Sequence, residues 1–259
     1  MVRKRILVTN DDGIHAPGLA ALEAALAALG EVTVSAPERE MSATSQSISL
    51  HSPLRVHALD ERHFAVAGTP ADAVILALHH LMPEKPDLVV SGINPGGNLG
   101  ENVVYSGTVA GAMEAVLHGV SSFAISLCSR KQTDFSGAAS FAARLAAKVL
   151  EEGLPPGVML NVNVPRGLPR SNRGEPIGVR FARQSQKISQ TLVREQKDPR
   201  GRKYFWLDES VDLGQVEPDS DYAAVLAGEI AITPLQVDRT DYKSLNHLSG
   251  WLDSLRANR

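Results

Sequence analysis

The stretch LVTNDDGIHAPG, residues 7–18, places two aspartates directly after an apolar run and just before a glycine. Residues 6–9 have the composition of a buried strand, and Asp11 and Asp12 follow it at once. Residues 19–29 are rich in Ala and Leu and predict a helix, which Gly30 would end at its C′ position. A strand, a polar loop and a helix in this order are typical of the first unit of a parallel α/β sheet.

The same alternation continues as far as Pro165. Thr69 as N-cap and Pro70 at the first helical position mark one further helix start. Since the strands are short and apolar on both faces, we predict an α/β fold, a Rossmann-like and mostly parallel sheet with helices on both faces. The remaining predicted strands are 32–36, 64–67, 88–90, 123–127 and 159–164, and the predicted helices are 70–81, 108–118 and 138–150.

The amino-acid composition of the sequence changes after Pro165. Residues 166–176 are rich in Pro, Gly, Arg and Ser, and 179–216 are polar and strand-like, with a turn signal at 198–201. We therefore divide one domain into an α/β core over 1–165, which carries the active site, and a C-terminal extension over 166–259. The extension is predicted to hold a β-hairpin, helices at 222–227 and 245–255, and a strand at 230–233.

Composition narrows the class of protein. The 259 residues are 43% hydrophobic and 21% charged, with a formal net charge of −3, so no basic excess points to nucleic acid or an anionic membrane. No apolar run approaches the roughly 20 residues of a membrane span. The apolar stretch after the basic N-terminus is too short for a signal peptide, and the single Cys128 excludes an internal disulfide. We expect a cytoplasmic protein without nucleic-acid or membrane partners.

Oxygen-bearing side chains follow three of the predicted strands. Asp11 and Asp12 follow the first, Ser42 the second, and Asn94 the strand at 88–90. Loops at the carboxyl edge of a parallel sheet meet, and two carboxylates sharing a pocket require a cation or a proton. All-oxygen ligands suit Mg²⁺, Mn²⁺ or Ca²⁺ better than Zn²⁺. The alternative is that Asn-Asp-Asp-Gly serves only as turn chemistry.

A second candidate site is the predicted helix start at Ser106-Gly107-Thr108. Free backbone N–H groups and two hydroxyls there would form an anion site, and small residues along the helix would let it approach the sheet. The alternative is a plain N-cap, and the two roles are compatible. The chain has no P-loop, no G-x-G-x-x-G and no G-x-S-x-G motif. An anion site beside a divalent cation indicates phosphoryl chemistry.

Two other classes of protein share part of this pattern. A signalling receiver domain also places acidic residues after its first strand. It needs an Asp where Ser91 stands and a Lys where Cys128 follows SFAISL. A nucleotide-binding regulator without turnover shares every feature of the candidate site. His79 and His80 are interpreted as solvated or half-buried side chains rather than metal ligands.

Taken together, the motifs resemble those of the SurE family of survival proteins, which are nucleotide phosphatases. The resemblance runs in order along nearly the whole chain. Its carriers are LVTNDDGIHAPG (7–18), APEREMSATSQSI (36–48), AGTPADAV (67–74), SGINPGGNLG (91–100), YSGTVAGAMEA (105–115), LNVNVP (160–165), RFARQS (180–185) and DYAAVLAGEIAITPL (221–235).

The resemblance implies a divalent-metal-dependent 5'/3'-nucleotidase that hydrolyses nucleoside monophosphates and often short polyphosphate. It implies one cation per subunit, Mg²⁺ or Mn²⁺, with Ca²⁺ also compatible, and it leaves open whether water or Asp11 attacks phosphorus. Many relatives carry Gly-His where this chain has Ser45-Gln46. The implied metal ligands are Asp11, Asp12, Ser42 and Asn94, of which Asp11 and Asp12 are also catalytic, and the implied phosphate contacts are Asn98, Ser106, Gly107 and Thr108.

The segment 188–208 predicts an oligomer. It has β-forming residues on both sides of the turn at 198–201, including the aromatic run Tyr204-Phe205-Trp206. An isolated two-stranded ribbon is marginal in water, so its apolar side chains need a covering surface. The alternative is that the hairpin folds back onto its own core. Members of the resembled family form dimers and tetramers with exchanged C-terminal segments, which implies a homodimer or homotetramer.

Overall fold

The computed structural model describes residues 3–129, 131, 134–166, 178–186, 189–211 and 216–256. None of the helices in these ranges is both long and apolar enough to cross a bilayer. The strands are β1 Lys4–Thr9, β2 Gly30–Pro37, β3 Val56–Ala58, β4 His63–Val66, β5 Leu88–Pro95, β6 Ser122–Cys128, β7 Val158–Pro165, β8 Val179–Phe181, β9 Ser189–Lys197, β10 Lys203–Val211 and β11 Ile230–Gln236. The helices are α1 Pro17–Leu26, α2 Pro70–Leu76, α3 Gly107–Leu117, α4 Ser136–Glu152, α5 Asp221–Leu226, α6 Tyr242–Leu248 and α7 Leu252–Arg256.

One nine-stranded sheet organises the molecule, in the order β3-β4-β2-β1-β5-β6-β7-β11-β8. The strands from β4 to β7 run parallel, whereas β3 is antiparallel to β4 and β11 is antiparallel to β7. The predicted α/β class with a mostly parallel sheet is therefore confirmed. Strands β11 and β8 extend this sheet with residues that follow Pro165.

Helices cover both faces of the sheet. On one face α1 and α4 pack on a core that includes Ile6 and Val8, while α2 and α3 pack on the other face, where Leu7 and Val89 lie. Successive residues of β1 therefore point to opposite faces, and both faces are buried. This double burial explains why the strands are continuous apolar runs rather than alternating patterns.

The order of strands reverses between β1 and β5. From β1 the chain moves outward to β2 on one side, and β5 returns to the other side of β1. In open α/β sheets, ligands bind at such a switch point, outside the carboxyl ends of the strands. The loops that follow β1 and β5 are the ones that carry the acidic pair and the Gly-Asn-rich motif.

Several predicted boundaries need correction. Helix α1 ends at Leu26, and Gly30 is the first residue of β2 instead of a helix C′ residue. A Cβ at Gly30 would lie 2.3 Å from the carbonyl oxygen of Lys4, its partner in β1, so close strand pairing requires this glycine. The predicted helix over 70–81 is α-helical only to Leu76 and continues as a π-helical segment, Ala77–Leu81. The short strand β3 was not predicted.

Two further corrections concern β5 and the C-terminus. Strand β5 runs to Pro95 because a β-bulge between Gly92 and Asn94 keeps the pairing with β6, so Asn94 lies within the strand and not after it. The helix predicted over 245–255 is split into α6, a short 3₁₀ segment and α7. Helix α6 begins early because the Asp241 side chain accepts hydrogen bonds from the backbone of Lys243 and Ser244.

The predicted hairpin is present as β9 and β10, which form a two-stranded antiparallel sheet of their own. The backbone N–H of Gly201 donates to the Asp198 carbonyl at 2.8 Å and closes the turn. Phe205, Trp206 and Leu207 are 58%, 60% and 76% exposed. The alternative that the hairpin folds onto its own core is therefore wrong for this chain. The predicted starting residue, Ile188, lies outside the described residues.

Candidate active site

Asn10 and Gly13 form the turn after β1. The Asn10 side chain accepts from the Gly13 N–H at 3.2 Å and donates to the Gly13 carbonyl at 3.1 Å. Gly13 has φ of +103°, which favours glycine. The predicted turn is therefore present, and Asn10 and Gly13 form it. The carboxylates of Asp11 and Asp12 take no part in the two hydrogen bonds that close this turn.

Asp11 lies at the N-terminus of α3. Its side chain is buried, and its Oδ1 accepts a hydrogen bond from the Thr108 hydroxyl at 2.5 Å. Burial raises the pKa of Asp11, although hydrogen bonds from the Thr108 hydroxyl and backbone oppose that shift. A Cβ at Gly107 would lie 2.9 Å from Oδ2 of Asp11, so only glycine permits this approach. The predicted close packing by small residues is confirmed at this position.

Asp12 has the opposite environment. Its Oδ2 is buried and has no hydrogen-bond partner among the described residues. Burial, followed by the charges of Asp11 and Glu40, raises the pKa of Asp12 to about 7. The side chains of the described ranges form no ion pair with either Asp11 or Asp12. A buried carboxylate without a partner is costly, so the pair requires a proton or a cation.

The loop after β2 is tied to the acidic pair through its backbone. The Met41 N–H donates to the Asp11 carbonyl at 2.7 Å, and Ser42 is the next residue. The Ser42 side chain is exposed and its hydroxyl donates to Glu40 at 2.6 Å. The structure thus brings this loop against Asp11, with the Ser42 hydroxyl engaged by a third carboxylate.

Asn94 lies near the end of β5, the strand next to β1. Its side-chain NH₂ donates to the Gly96 carbonyl at 2.7 Å, which leaves the side-chain carbonyl oxygen as the atom suited to a cation. No hydrogen bond among the described residues joins Asn94 to Asp11 or Asp12. Asn94 lies at the same edge of the sheet as the acidic pair because β5 pairs in parallel with β1.

Both hydroxyl groups at the start of α3, those of Ser106 and Thr108, are hydrogen bonded. The Ser106 Oγ accepts from the Val109 N–H at 3.1 Å, so Ser106 is an N-cap as the plain alternative predicted. The Thr108 hydroxyl is committed to Asp11. The anion that this helix terminus holds in the structure is therefore the Asp11 carboxylate.

Asn98 lies in the loop between β5 and α3 and is buried. Its side-chain NH₂ donates to the Ser126 hydroxyl at 2.8 Å, and its backbone is held by Asn161 and Asn163 of β7. No hydrogen bond within the described residues joins it to the acidic pair. Its position in the molecule is fixed by β6 and β7.

Ser45 and Gln46 follow Ser42, Ala43 and Thr44 in the loop after β2. Ser45 has φ of +53°, a conformation that favours glycine, and its hydroxyl donates to the Val104 carbonyl at 2.8 Å. The Gln46 side chain donates to the buried Glu114 of α3 at 3.1 Å. Ser45 and Gln46 line a cavity of about 450 Å³, together with Thr44, Ser47, Met113, Leu117, Val237 and Arg239.

The model of the family described as Survival protein SurE matches residues 6–191 of this chain. The chain belongs to the SurE family. The resemblance predicted from the motifs is therefore confirmed. The 5'-nucleotidase SurE of Geotalea daltonii is 48% identical over 249 residues, covering 95% of this chain and 98% of that protein.

Two other SurE proteins are similar to this chain over nearly its whole length. The 5'-nucleotidase SurE of Myxococcus xanthus is 48% identical over 250 residues, covering 96% of this chain and 93% of that protein. The crystal structure of the SurE protein from Aquifex aeolicus has a TM-score of 0.84 at 38% identity and covers 96% of this chain and 99% of that chain. The fold is thus shared with a solved SurE structure over 96% of this chain.

Several residues of this SurE site were not found from the sequence. Glu40 lies close enough to raise the pKa values of both Asp11 and Asp12, and Glu114 receives the hydrogen bond from Gln46. Both stand inside motifs that were noticed for other residues. Each is a carboxylate within a motif, but its role depends on residues distant in the sequence, which are Asp11 and Asp12 for Glu40 and Gln46 for Glu114.

Proposed function

We propose that this chain is a nucleotidase that releases phosphate from nucleoside monophosphates and depends on one divalent cation per subunit. The observation that carries the proposal is the buried Oδ2 of Asp12, which has no partner in the described residues and lies beside the buried Asp11. Relatives named 5'-nucleotidase SurE at 48% identity support the nucleotidase activity and the substrate class.

The side chains present fit a divalent cation of the oxygen-binding kind. Mg²⁺, Mn²⁺ and Ca²⁺ prefer carboxylate, hydroxyl and amide oxygens, whereas Zn²⁺ prefers nitrogen and sulfur. Across the described ranges, no group of three or more His, Cys, Asp and Glu side chains is arranged to hold a metal. We assign the ligands to Asp11, Asp12, Ser42 and Asn94, and this requires the Ser42 hydroxyl to turn from Glu40.

The residues around the acidic pair have separate tasks in this proposal. A bound divalent cation would polarise a phosphoryl oxygen and lower the pKa of a nearby water. Thr108 holds one oxygen of Asp11 in place, and Gly107 lets the N-terminus of α3 come close. That terminus offsets part of the negative charge of a phosphate. Since Asp11 is already held by Thr108 and assigned to the metal, we assign the attacking oxygen to water.

The phosphate contacts are assigned to Asn98 and to the start of α3 at Ser106, Gly107 and Thr108. Since the Ser106 Oγ caps the helix and the Thr108 hydroxyl bonds Asp11, the helix start would contact phosphate mainly through backbone N–H groups. Short polyphosphate presents the same terminal phosphoryl group. We include it as a second substrate.

A phosphate-release assay tests the proposal. Nucleoside 5'- and 3'-monophosphates and short polyphosphate are each incubated with Mn²⁺, Mg²⁺, Ca²⁺ or EDTA. We expect release from the monophosphates with Mn²⁺ or Mg²⁺, none in EDTA, and recovery when metal is restored. Tight nucleotide binding without release under any metal would identify a regulator instead of an enzyme. Equal release in EDTA would overturn the metal dependence.

We also propose that the chain acts as a homodimer or homotetramer. The β9–β10 hairpin exposes the apolar side chains of Phe205, Trp206 and Leu207. Helix α6 has no buried residue, and Leu245 is 57% exposed. Apolar surface on two separate C-terminal elements is characteristic of an interface between subunits.

A further inference from the structure

We infer that Asn163 is a positioning residue that fixes the loop at residues 96–100 by hydrogen bonding to both backbone polar groups of Asn98. The inference extends the proposed function, in which Asn98 contacts phosphate. It assigns a role to the LNVNVP motif of β7, which the acidic pair and the helix start do not use.

The geometry is a two-point contact between one side chain and the backbone N–H and C=O of one residue. The Asn98 N–H donates to Oδ1 of Asn163 at 2.8 Å, and Nδ2 of Asn163 donates to the Asn98 carbonyl at 3.0 Å. Nδ2 of Asn161 donates to the same carbonyl at 2.8 Å. Asn161 and Asn163 are fully buried, and Asn98 is 7% exposed.

A carboxamide resembles a peptide group, with a carbonyl oxygen and an N–H donor side by side. In this position Asn163 acts as a neighbouring β-strand would, because it satisfies the donor and the acceptor of the same residue. A loop backbone buried without such partners would be strongly destabilised. The Asn163 side chain therefore takes the place of a neighbouring strand beside Asn98.

The loop also packs tightly against the same strand pair. A Cβ at Gly97 would lie 2.9 Å from Sγ of Cys128 and 3.5 Å from Oδ1 of Asn163. The Cys128 thiol lies 3.9 Å from that oxygen, and burial raises its pKa to about 12, so it remains a neutral thiol. A side chain at position 97 would therefore overlap the Cys128 thiol of β6.

A second contact holds the other end of the loop. The Gly100 N–H donates to the buried Asp221 at 2.9 Å, and Gln184 donates to the Gly100 carbonyl at 2.7 Å. Gly100 has φ of +51°. Residues 98 and 100 are therefore each held at both backbone polar groups, by side chains from motifs far away in the sequence.

The Asn163 contacts act on Asn98 directly, whereas Asn94 meets this loop through the bond from its side-chain NH₂ to the Gly96 carbonyl. Asn94 is paired with Ser126 in the sheet, so its position depends on the β5–β6 ladder. Loss of the Asn163 contact should therefore weaken phosphate binding and leave cation binding intact. That separation distinguishes a positioning role from a general support of the fold.

The test is Asn163→Asp, which keeps the shape and the acceptor for the Asn98 N–H but turns the donor into a second acceptor. The matched control is Thr233→Val on β11. Thr233 pairs with Asn161 in the sheet, and its buried hydroxyl bonds to no described residue. We expect Asn163→Asp to raise KM for a nucleoside monophosphate and the inhibition constant of inorganic phosphate by about tenfold. Its kcat and Mn²⁺ affinity should stay near those of the control.

An unchanged KM in a folded Asn163→Asp protein would overturn the inference, and so would a parallel loss of Mn²⁺ affinity. If the variant does not fold, amide hydrogen exchange of the unmodified protein decides. The Asn98 amide should then exchange as slowly as those of β6 and β7, and exchange at the rate of an open loop would overturn the inference. This measurement needs no turnover, so it stands even if wild-type protein hydrolyses no nucleotide and the proposed function fails.

Discussion

Asp11 and Asp12 are neighbours in the chain with different surroundings. Asp11 is held by the Thr108 hydroxyl at 2.5 Å, whereas Oδ2 of Asp12 is buried and has no described partner. The turn that brings them together is made by Asn10 and Gly13. Since the aspartates are not needed for this turn, their side chains can be changed without removing the two bonds that form it.

Asp12→Asn tests the unpartnered carboxylate. We expect turnover to fall by orders of magnitude and Mn²⁺ affinity to drop, because half of the neutralising charge is gone. The metal-free protein should become more stable, since the repulsion from Asp11 and Glu40 that helps raise the Asp12 pKa to about 7 is relieved. Titration calorimetry and thermal melts with and without metal measure both effects.

The control for that substitution is Glu38→Gln, which removes an equal charge from the loop after β2. Glu38 is exposed and is not an assigned ligand. The control should keep one Mn²⁺ per chain and most of the activity. Full activity and unchanged Mn²⁺ affinity in Asp12→Asn would show that the ligand assignment is incorrect.

Thr108→Val tests the support of Asp11. Valine keeps the branched shape but removes the hydroxyl that donates to Oδ1, so the Asp11 pKa should rise further and Mn²⁺ should bind more weakly. A hydrogen bond to a charged group is worth about 1.5–3 kcal/mol. Ser106→Ala is the comparison, because it loses the N-cap and about 1 kcal/mol of stability but no contact with Asp11. Equal Mn²⁺ affinities in the two variants would contradict this role.

The candidate residues that follow strands could be predicted from the sequence, because strand ends converge by topology. Asn163 and Asp221 could not be assigned. Each lies far along the chain from the backbone that it holds, at Asn98 and Gly100, and each could have been any buried polar residue. A local motif shows only the neighbours of a residue in the sequence. The roles of Asn163 and Asp221 depend on contacts between distant segments.

At the level of elements, the N-cap signals at Thr69 and Ser106 were reliable, whereas the C′ signal at Gly30 was not. Thr69, Pro70 and Asp72 begin α2 as predicted, with a reciprocal capping box between Thr69 and Asp72. The boundaries of β5 were missed because Gly92 and Pro95 indicate a loop, although a bulge lets the pairing with β6 continue. Tertiary pairing therefore overrides local propensity at this strand.

His63 joins β4 to α1 and gives a prediction about pH. Its ring nitrogens lie 2.9 Å from Glu23 and 2.8 Å from Asp60. Burial lowers the pKa of His63, but the hydrogen bonds to Asp60 and Glu23 outweigh it, so the pKa is raised overall. The stabilisation should be complete below the unfolded value of about 6.5 and disappear as pH rises through the folded pKa.

Glu23→Gln should therefore cost about 0.5 kcal/mol of unfolding free energy near pH 6 and less at pH 9. Urea denaturation at the two pH values measures the difference. Glu31→Gln is the matched control, because Glu31 pairs with Arg62, which does not titrate in this range. An equal cost of Glu23→Gln at both pH values would mean that His63 is not charged in the folded protein.

At the scale of the whole molecule, the candidate site lies at the switch point of the sheet, and the described side chains of β9, β10 and α6 are exposed. The fold class could be predicted because helix and strand patterns alternate along 1–165. What covers the β9–β10 hairpin could not be predicted, since a covering surface on another subunit would leave no pattern in one chain. The side chains of Phe205 and Trp206 remain more than half exposed.

Sedimentation equilibrium tests the role of the hairpin. The intact chain is compared with a variant in which 188–208 are replaced by a short Gly/Ser link. We expect the intact chain to be a dimer or tetramer and the variant to have a lower mass, because the exposed aromatic run is removed. A monomeric intact chain at micromolar concentration would contradict the prediction, and an unchanged oligomer in the variant would move the interface elsewhere.

We propose that Asp11 and Asp12 hold a divalent cation at the carboxyl edge of β1. Anomalous diffraction at the manganese edge, from crystals soaked in Mn²⁺, locates such a cation. We expect one strong peak per chain that lies between both carboxylates and within ligand distance of Oδ2 of Asp12. A peak that avoids both carboxylates, or no peak at millimolar Mn²⁺, would contradict it.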